Sequence, residues 1–227
     1  MEELDFRPQS ESQSNIIAVS GPFQIELMTR VGSNDYSPLI QISESLIKEY
    51  GPSAKLTPNT IQTYFNREGS LPFIARFQGE IIGYIIGVPL ELLSQEPWAR
   101  VDINFGENNT LYTYAFVVQS KFKGNGYAKM LKRVYLNWTK KQKSILYITG
   151  HVKEGVSSKF TGDIRIIDRI DNWQGTGTTF EYYRRTIDPE QIYTSRNDPP
   201  LSSRSYYLNY SGNFNRNTYQ ISCFYKK

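Results

Sequence analysis

The sequence predicts a mixed α/β fold whose sheet is organised around one strand, glycine loop and helix. Three observations lead there. Thr110 to Val118 (TLYTYAFVV) is dense in β-branched and aromatic residues, which suit a buried strand. Gly124-Asn125-Gly126 follows, and then Tyr127, Leu131, Val134 and Trp138 recur at spacings of four, three and four, which lays one apolar stripe along a helix. Finally, Ser144 to Thr149 (SILYIT) supplies the strand that closes a β-α-β unit, with a right-handed crossover.

The other elements follow in chain order. Residues 1–14 (MEELDFRPQSESQS) are polar and acidic, with too little apolar surface to offset the entropy of ordering, and are expected to form a loose tail. Phe23 to Met28 alternates apolar and polar residues, so it is expected as a half-buried first strand. From Asp35, Leu39, Ile42, Leu46, Ile47 and Tyr50 mark an amphipathic helix stopped by Gly51-Pro52. Thr57-Pro58 opens a second helix, with Thr57 as its cap, running to Gly69. Leu71 to Phe77 and Ile81 to Val88, joined by Gln78-Gly79-Glu80, predict a hairpin, and Glu91 to Asn109 a polar connection.

Beyond the closing strand, His151 to Asp163 reads as irregular, Ile164 to Ile170 as a short helix, and Thr178 to Ile187 as a further strand. Pro189 to Lys227 is rich in Tyr, Asn, Ser and Arg; Ser205 to Leu208 and Thr218 to Tyr225 are strand candidates about Gly212. The expected division is a tail over 1–14, a main domain over 15–188 and an extension over 189–227. The extension could widen the sheet, cover a site or join a homodimer.

Composition narrows the classes. The 227 residues carry a net charge of +4 and a pI near 9.0, mild values that many enzymes share. One cysteine, Cys223, rules out an internal disulfide, and the start MEELDFRPQ lacks the basic-then-apolar pattern of a signal peptide. No run approaches a membrane span of about 18 apolar residues. The expectation is a cytoplasmic protein without a membrane partner. One histidine and one remote cysteine make a poor metal ligand set, so no metal is expected. Helix-turn-helix, zinc and RNP-like signatures are missing, which argues against nucleic acid as a partner.

The first turn of a helix carries unpaired N–H groups and partial positive charge, and glycines let the backbone come close to a diphosphate. The loop is therefore either an anion cradle or a plain turn. Neither G-x-G-x-x-G nor G-x-x-x-x-G-K-[ST] fits, since Lys129 stands where a third glycine would be needed. The loop resembles instead that of the GNAT superfamily of acyl-CoA-dependent N-acyltransferases, [RQ]-x-x-G-x-[GA]. Lys123, Gly126 and Ala128 fall on the fixed positions, with Gly124 on a frequent extra glycine and Phe122 on a preceding aromatic. Lys123 replaces the usual Arg or Gln, keeping charge without the planar fork, and Ser120 replaces a common Pro.

The resemblance covers about Phe23 to Ile187 and implies the order strand, two helices, hairpin, strand, helix, strand, helix, strand. It implies acetyl-CoA as co-substrate, held by Lys123, Gly124, Asn125, Gly126, Tyr127, Ala128 and Lys129, with backbone groups from Phe116, Val117 and Val118 along the pantetheine arm. It also implies attack of a neutral amine on the thioester within one ternary complex. The amine is unidentified. Rival readings are a transferase for longer acyl chains, a non-catalytic CoA-binding module, and a nucleic-acid-binding module.

An amine acceptor must lose a proton, so a base is required. His151 is the only histidine and is expected just past a strand, as the base or as a solvated loop residue; Glu154 is nearby. Glu107 and Asp102 are read as surface charges. The family's N-x-x-A-x-x-x-Y, whose tyrosine protonates the departing thiolate, has no good copy here; Phe160 is the nearest aromatic. Tyr182 and Tyr183 lie on opposite faces of one strand, so only one can face the cleft, as a stand-in acid or as plain filling. Lys129 either meets CoA phosphates or is simply solvated.

Overall fold

A computed structural model describes residues 10–187. They build an eight-stranded sheet in the order β1-β2-β3-β4-β5-β6-β8-β7. The strands are β1 Gln13–Ser20, β2 Phe23–Arg30, β3 Leu71–Phe77, β4 Glu80–Pro89, β5 Thr110–Val118, β6 Tyr147–Lys153, β7 Ile164–Ile170 and β8 Phe180–Thr186. Every neighbouring pair is antiparallel except β5 and β6, which are parallel. The helices are α1 Tyr36–Tyr50, α2 Pro58–Thr60, α3 Pro97–Arg100 and α4 Tyr127–Lys140.

The middle strands read as near-continuous apolar runs because both their faces are covered. Tyr84 and Phe73 show how. Phe73 pairs with Ile85, so it shares a face with Ile85 and lies opposite Tyr84. Tyr84 packs edge-on to Phe65, in the widened turn Ile61–Phe65 that continues α2, whereas Phe73 packs against Tyr135 and Trp138 of α4. On the Tyr84 face, Tyr50 at the end of α1 packs against Phe180. α4 thus covers one face of the sheet, and α1 with α2 the other.

Local chemistry sets the ends of these elements. Thr57 and Thr60 form a reciprocal capping box at the start of α2, with Pro58 in the first turn. Gln78 (φ 52°) and Gly79 (φ 83°) turn the β3–β4 hairpin with two left-handed residues, the twist a two-residue hairpin needs.

Four expectations are corrected. The strand at Phe23 is the second; β1 precedes it and takes in Gln13 and Ser14, which the tail reading had claimed. β1 is a largely exposed edge held mainly by its backbone ladder to β2, so its burial pattern is weak. Ile164–Ile170 is a strand, not a helix: IRIIDRI is rich in β-branched residues and pairs along β8 as an exposed edge. β6 starts at Tyr147 and runs on to Lys153, so His151 lies inside it rather than in an irregular loop. On α4 the fully buried line is Leu131, Tyr135 and Thr139, one position round from the expected stripe, with Tyr127, Val134 and Trp138 flanking it. The first nine residues, the extension over 189–227 and Cys223 lie outside the described residues.

Candidate active site

The parallel pair β5–β6 is joined at only three positions, Thr110↔Tyr147, Leu111↔Ile148 and Tyr112↔Thr149. Both strands continue well past these, to Val118 and Lys153, so a wedge opens from Thr113 and Gly150 onward. On its other edge β5 carries a bulge. Ile86 pairs with Ala115 and Gly87 with Thr113, which leaves Tyr114 as the extra residue. The wedge side of β5, from Thr113 to Val118, therefore offers backbone groups that no strand takes up.

At the open end stands the glycine loop. Gly124 (φ 86°) and Gly126 (φ 78°) are left-handed, and a Cβ built on either would meet nothing within 4 Å. Gly126 is the N-cap of α4, no side chain caps it, and the first turn carries no acid. The free N–H groups of Tyr127, Ala128 and Lys129 thus stay available at the positive end of the helix. Lys123, Asn125 and Lys129 are exposed; the Asn125 amide donates to the Phe122 carbonyl at 3.2 Å and braces the loop. Tyr127 turns inward, stacked on Phe23 at 4.4 Å. The loop fits a diphosphate: open space, left-handed glycines, basic residues and an uncapped helix start.

On the α1 face the wedge is walled by aromatics around His151. His151 is 0% exposed, its Nδ1 lies 2.9 Å from the Tyr112 hydroxyl, and its ring stacks on Trp173 (4.0 Å) and Tyr182 (4.7 Å), with Trp98 edge-on at 4.8 Å. Burial drives its pKa well below the ordinary 6.5. Its Nε2 has no hydrogen-bond partner among the described residues. The Tyr182 hydroxyl donates to Asp102 Oδ2 at 2.6 Å, while Arg184 donates to Oδ1 at 2.6 Å. Burial and the Asp102 charge push the Tyr182 phenol up. Asp102 is thus a buried anchor for the segment between β4 and β5, not a surface charge.

Glu154 does not join this group: it is exposed beyond β6 and pairs with Arg169 at 3.4 Å. Glu49 on α1, which the sequence gave no reason to single out, feels both Lys153 at the end of β6 and Lys123 in the loop. Its carboxyl is raised by burial, with the two lysines opposing. Only the fold brings these three together.

On the α4 face, Tyr183 packs edge-on to Phe160 at 5.1 Å, and the Lys132 ammonium sits 3.7 Å above the Phe160 ring. Arg185 is buried beside them and donates to the Thr161 carbonyl. Burial first, and then Arg185, lower the Lys132 pKa to about 8. Among the described residues no three His, Cys, Asp or Glu cluster in a way that could hold a metal, and no helix is long and apolar enough to cross a membrane.

Residues 39–155 match the family described as Acetyltransferase (GNAT) family. The chain belongs to this family. Its fold is that of GNAT acetyltransferases, and it is an acyl-CoA-dependent N-acetyltransferase by membership. The solved structures it is similar to include Arabidopsis thaliana NAA60 in complex with a bisubstrate analogue, at TM-score 0.53 and 14% identity over 73% of this chain and 99% of that one. The ribosomal-protein-S18-alanine N-acetyltransferase from Escherichia coli gives TM-score 0.51 and 10% identity over 73% and 94%. RimL, a ribosomal L7/L12 alpha-N-protein acetyltransferase, gives TM-score 0.53 and 13% identity over 79% and 98%. A search of curated proteins by sequence finds no match.

Proposed function

We propose that this GNAT protein transfers the acetyl group of acetyl-CoA to the α-amino group of a peptide or protein, by direct attack in a ternary complex. The observation that carries the reading is the wedge between β5 and β6 with the uncapped glycine loop at its mouth. Gly124 to Lys129 and Lys123 would hold the diphosphate, and backbone groups of Phe116, Val117 and Val118 the pantetheine arm. The backbone about the Tyr114 bulge would polarise the thioester carbonyl, stabilisation by fixed donors that costs little reorganisation.

His151 and Tyr112 supply the base. A fully buried imidazole with a strongly lowered pKa stays neutral at pH 7, so its lone pair is available, but it is a weak acceptor. Such a base suits an α-amine, of pKa about 8, better than a lysine amine of about 10.4, because less of the acceptor must be deprotonated. The comparison proteins named for α-amine or protein-alanine acetylation support the same acceptor class. Glu49 on α1, within reach of Lys123 and Lys153, would attract an ammonium when ionised.

The test is calorimetric titration with acetyl-CoA, free CoA and a longer acyl-CoA, followed by turnover of two peptides. One carries a free N-terminus and no lysine; the other is blocked at its N-terminus and carries one lysine. Binding that favours acetyl-CoA, with turnover of the first peptide alone, is expected. Turnover of the second alone overturns the acceptor assignment; preference for the longer chain overturns the donor; and absence of any CoA binding overturns the whole reading.

A further inference from the structure

The reaction leaves a thiolate that must be protonated, and the tyrosine motif that the family resemblance implies for this has no good copy in the sequence, where the nearest aromatic, Phe160, lacks a hydroxyl and the stand-in Tyr182 donates to Asp102. The α4 face of the wedge carries a different group. Lys132 and Tyr135 are three residues apart on α4 and so point the same way. The Tyr135 hydroxyl lies against Gly87 and Thr113, and Thr113 is the first β5 residue beyond the last parallel pair. From the facing side, the Lys132 ammonium sits over Phe160, Phe160 packs on Tyr183, and Tyr183 is paired with Gly150, the first β6 residue past that same point. Lys132 therefore lies on the α4 face about a turn and a half along the helix from the phosphate loop, and is connected through Phe160 and Tyr183 to the point where β6 leaves β5.

The charges there are one-sided. Arg185 of β8 acts on Lys132 and is itself faced by Tyr183 of β8 and Tyr135 of α4, while the linker after β6 sets the Phe160 ring against the ammonium. Glu181, the nearest acid on that face of β8, is held by Ser157, the Gly155 N–H and Arg169. Lys132 has no ion pair with any carboxylate among the described residues. Two cations without an acid, close enough to repel, leave room for an anion that arises during turnover.

We propose that Lys132 is the proton donor to the departing CoA thiolate. This rests on the acetyl-CoA reading above. When the tetrahedral adduct collapses, the C–S bond breaks, its electron pair goes to sulfur, and a Lys132 N–H proton moves to that sulfur. The products are the amide and CoA thiol, and the neutral Lys132 amine regains its proton from water. The acceptor's proton leaves by the opposite face, through Tyr112 and His151. A lysine lowered to about 8 matches a thiol of about 8.5, so the transfer is nearly balanced.

The experiment follows the thiolate absorbance of free CoA bound to the whole protein across pH, for wild type, K132M and K132R. In wild type the bound thiol should ionise at least one pH unit below that of unbound CoA; in K132M it should ionise above it. K132R keeps the charge and should keep the lowered thiol, yet it cannot donate at neutral pH, so kcat with the free N-terminus peptide should fall about 100-fold or more at unchanged KM for acetyl-CoA. K132M removes an unpaired charge and should unfold no earlier than wild type, which separates this role from a structural one. Equal thiol titration in CoA-loaded wild type and K132M overturns the inference alone; failure of wild type to bind CoA overturns the acetyl-CoA reading as well.

Discussion

At the scale of single residues, His151 and Asp102 are the two positions where the fold reverses what composition suggests. The only histidine reads as a base or as a solvated loop residue, yet it lies in β6 between Trp173, Tyr182 and Trp98. Its folded pKa lies below the unfolded 6.5, so the unfolded chain binds the proton first. The stabilising effect is therefore complete above 6.5 and is lost as pH falls from there toward the folded value. As pH falls below 6.5, wild type should lose unfolding free energy through this group, and H151Q should show a flatter dependence of stability on pH in urea melts. Parallel slopes would remove the buried neutral imidazole. Asp102 holds Tyr182 and Arg184 at once. D102A leaves Arg184 half-buried without its carboxylate and should cost about 3–5 kcal/mol by the same melts, far beyond the loss of a surface charge. The burial and the partners of these two residues were not legible in the sequence, because the partners lie dozens of residues away.

At the scale of elements, what was legible is what is local. The strand Thr110–Val118, the capped start at Thr57 and Pro58, the hairpin about Gly79 and the start of α4 each depend on side chains within a few residues, and each is found where expected. What was missed depends on pairing. β1 and β7 are edge strands, exposed on most of their length, so neither shows the alternation that betrays a half-buried strand. The glycine loop belongs to the legible part. Its left-handed glycines and open surroundings make Gly126→Glu informative, since the new side chain has room but places a negative charge at the helix start. The expected outcome is loss of acetyl-CoA affinity by 100-fold or more in calorimetry, with a folding cost of only about 1–2 kcal/mol from the strained backbone. Unchanged affinity would reduce the loop to a turn.

At the scale of the whole molecule, the sheet is continuous only because β5 and β6 stay joined at three positions, and the wedge exists because they part after that. The antiparallel strands on either side hold each of them along its other edge. A ligand filling the wedge would replace the missing ladder, and its effect should be global rather than confined to the loop. At about a hundred times its Kd, acetyl-CoA should add about 2.7 kcal/mol of stability, which for a chain of 227 residues raises Tm by about 5–10 °C. Hydrogen exchange locates the same effect. Amides of Leu111 and Tyr112, inside the joined segment, should be protected with or without ligand, whereas wedge-facing amides between Thr113 and Val118 should exchange quickly until acetyl-CoA is added. A rise in Tm with no new protection there would mean that the ligand binds elsewhere on the protein. Protection confined to the wedge strands and the first turn of α4 would tie the stabilisation to the parting of β5 from β6.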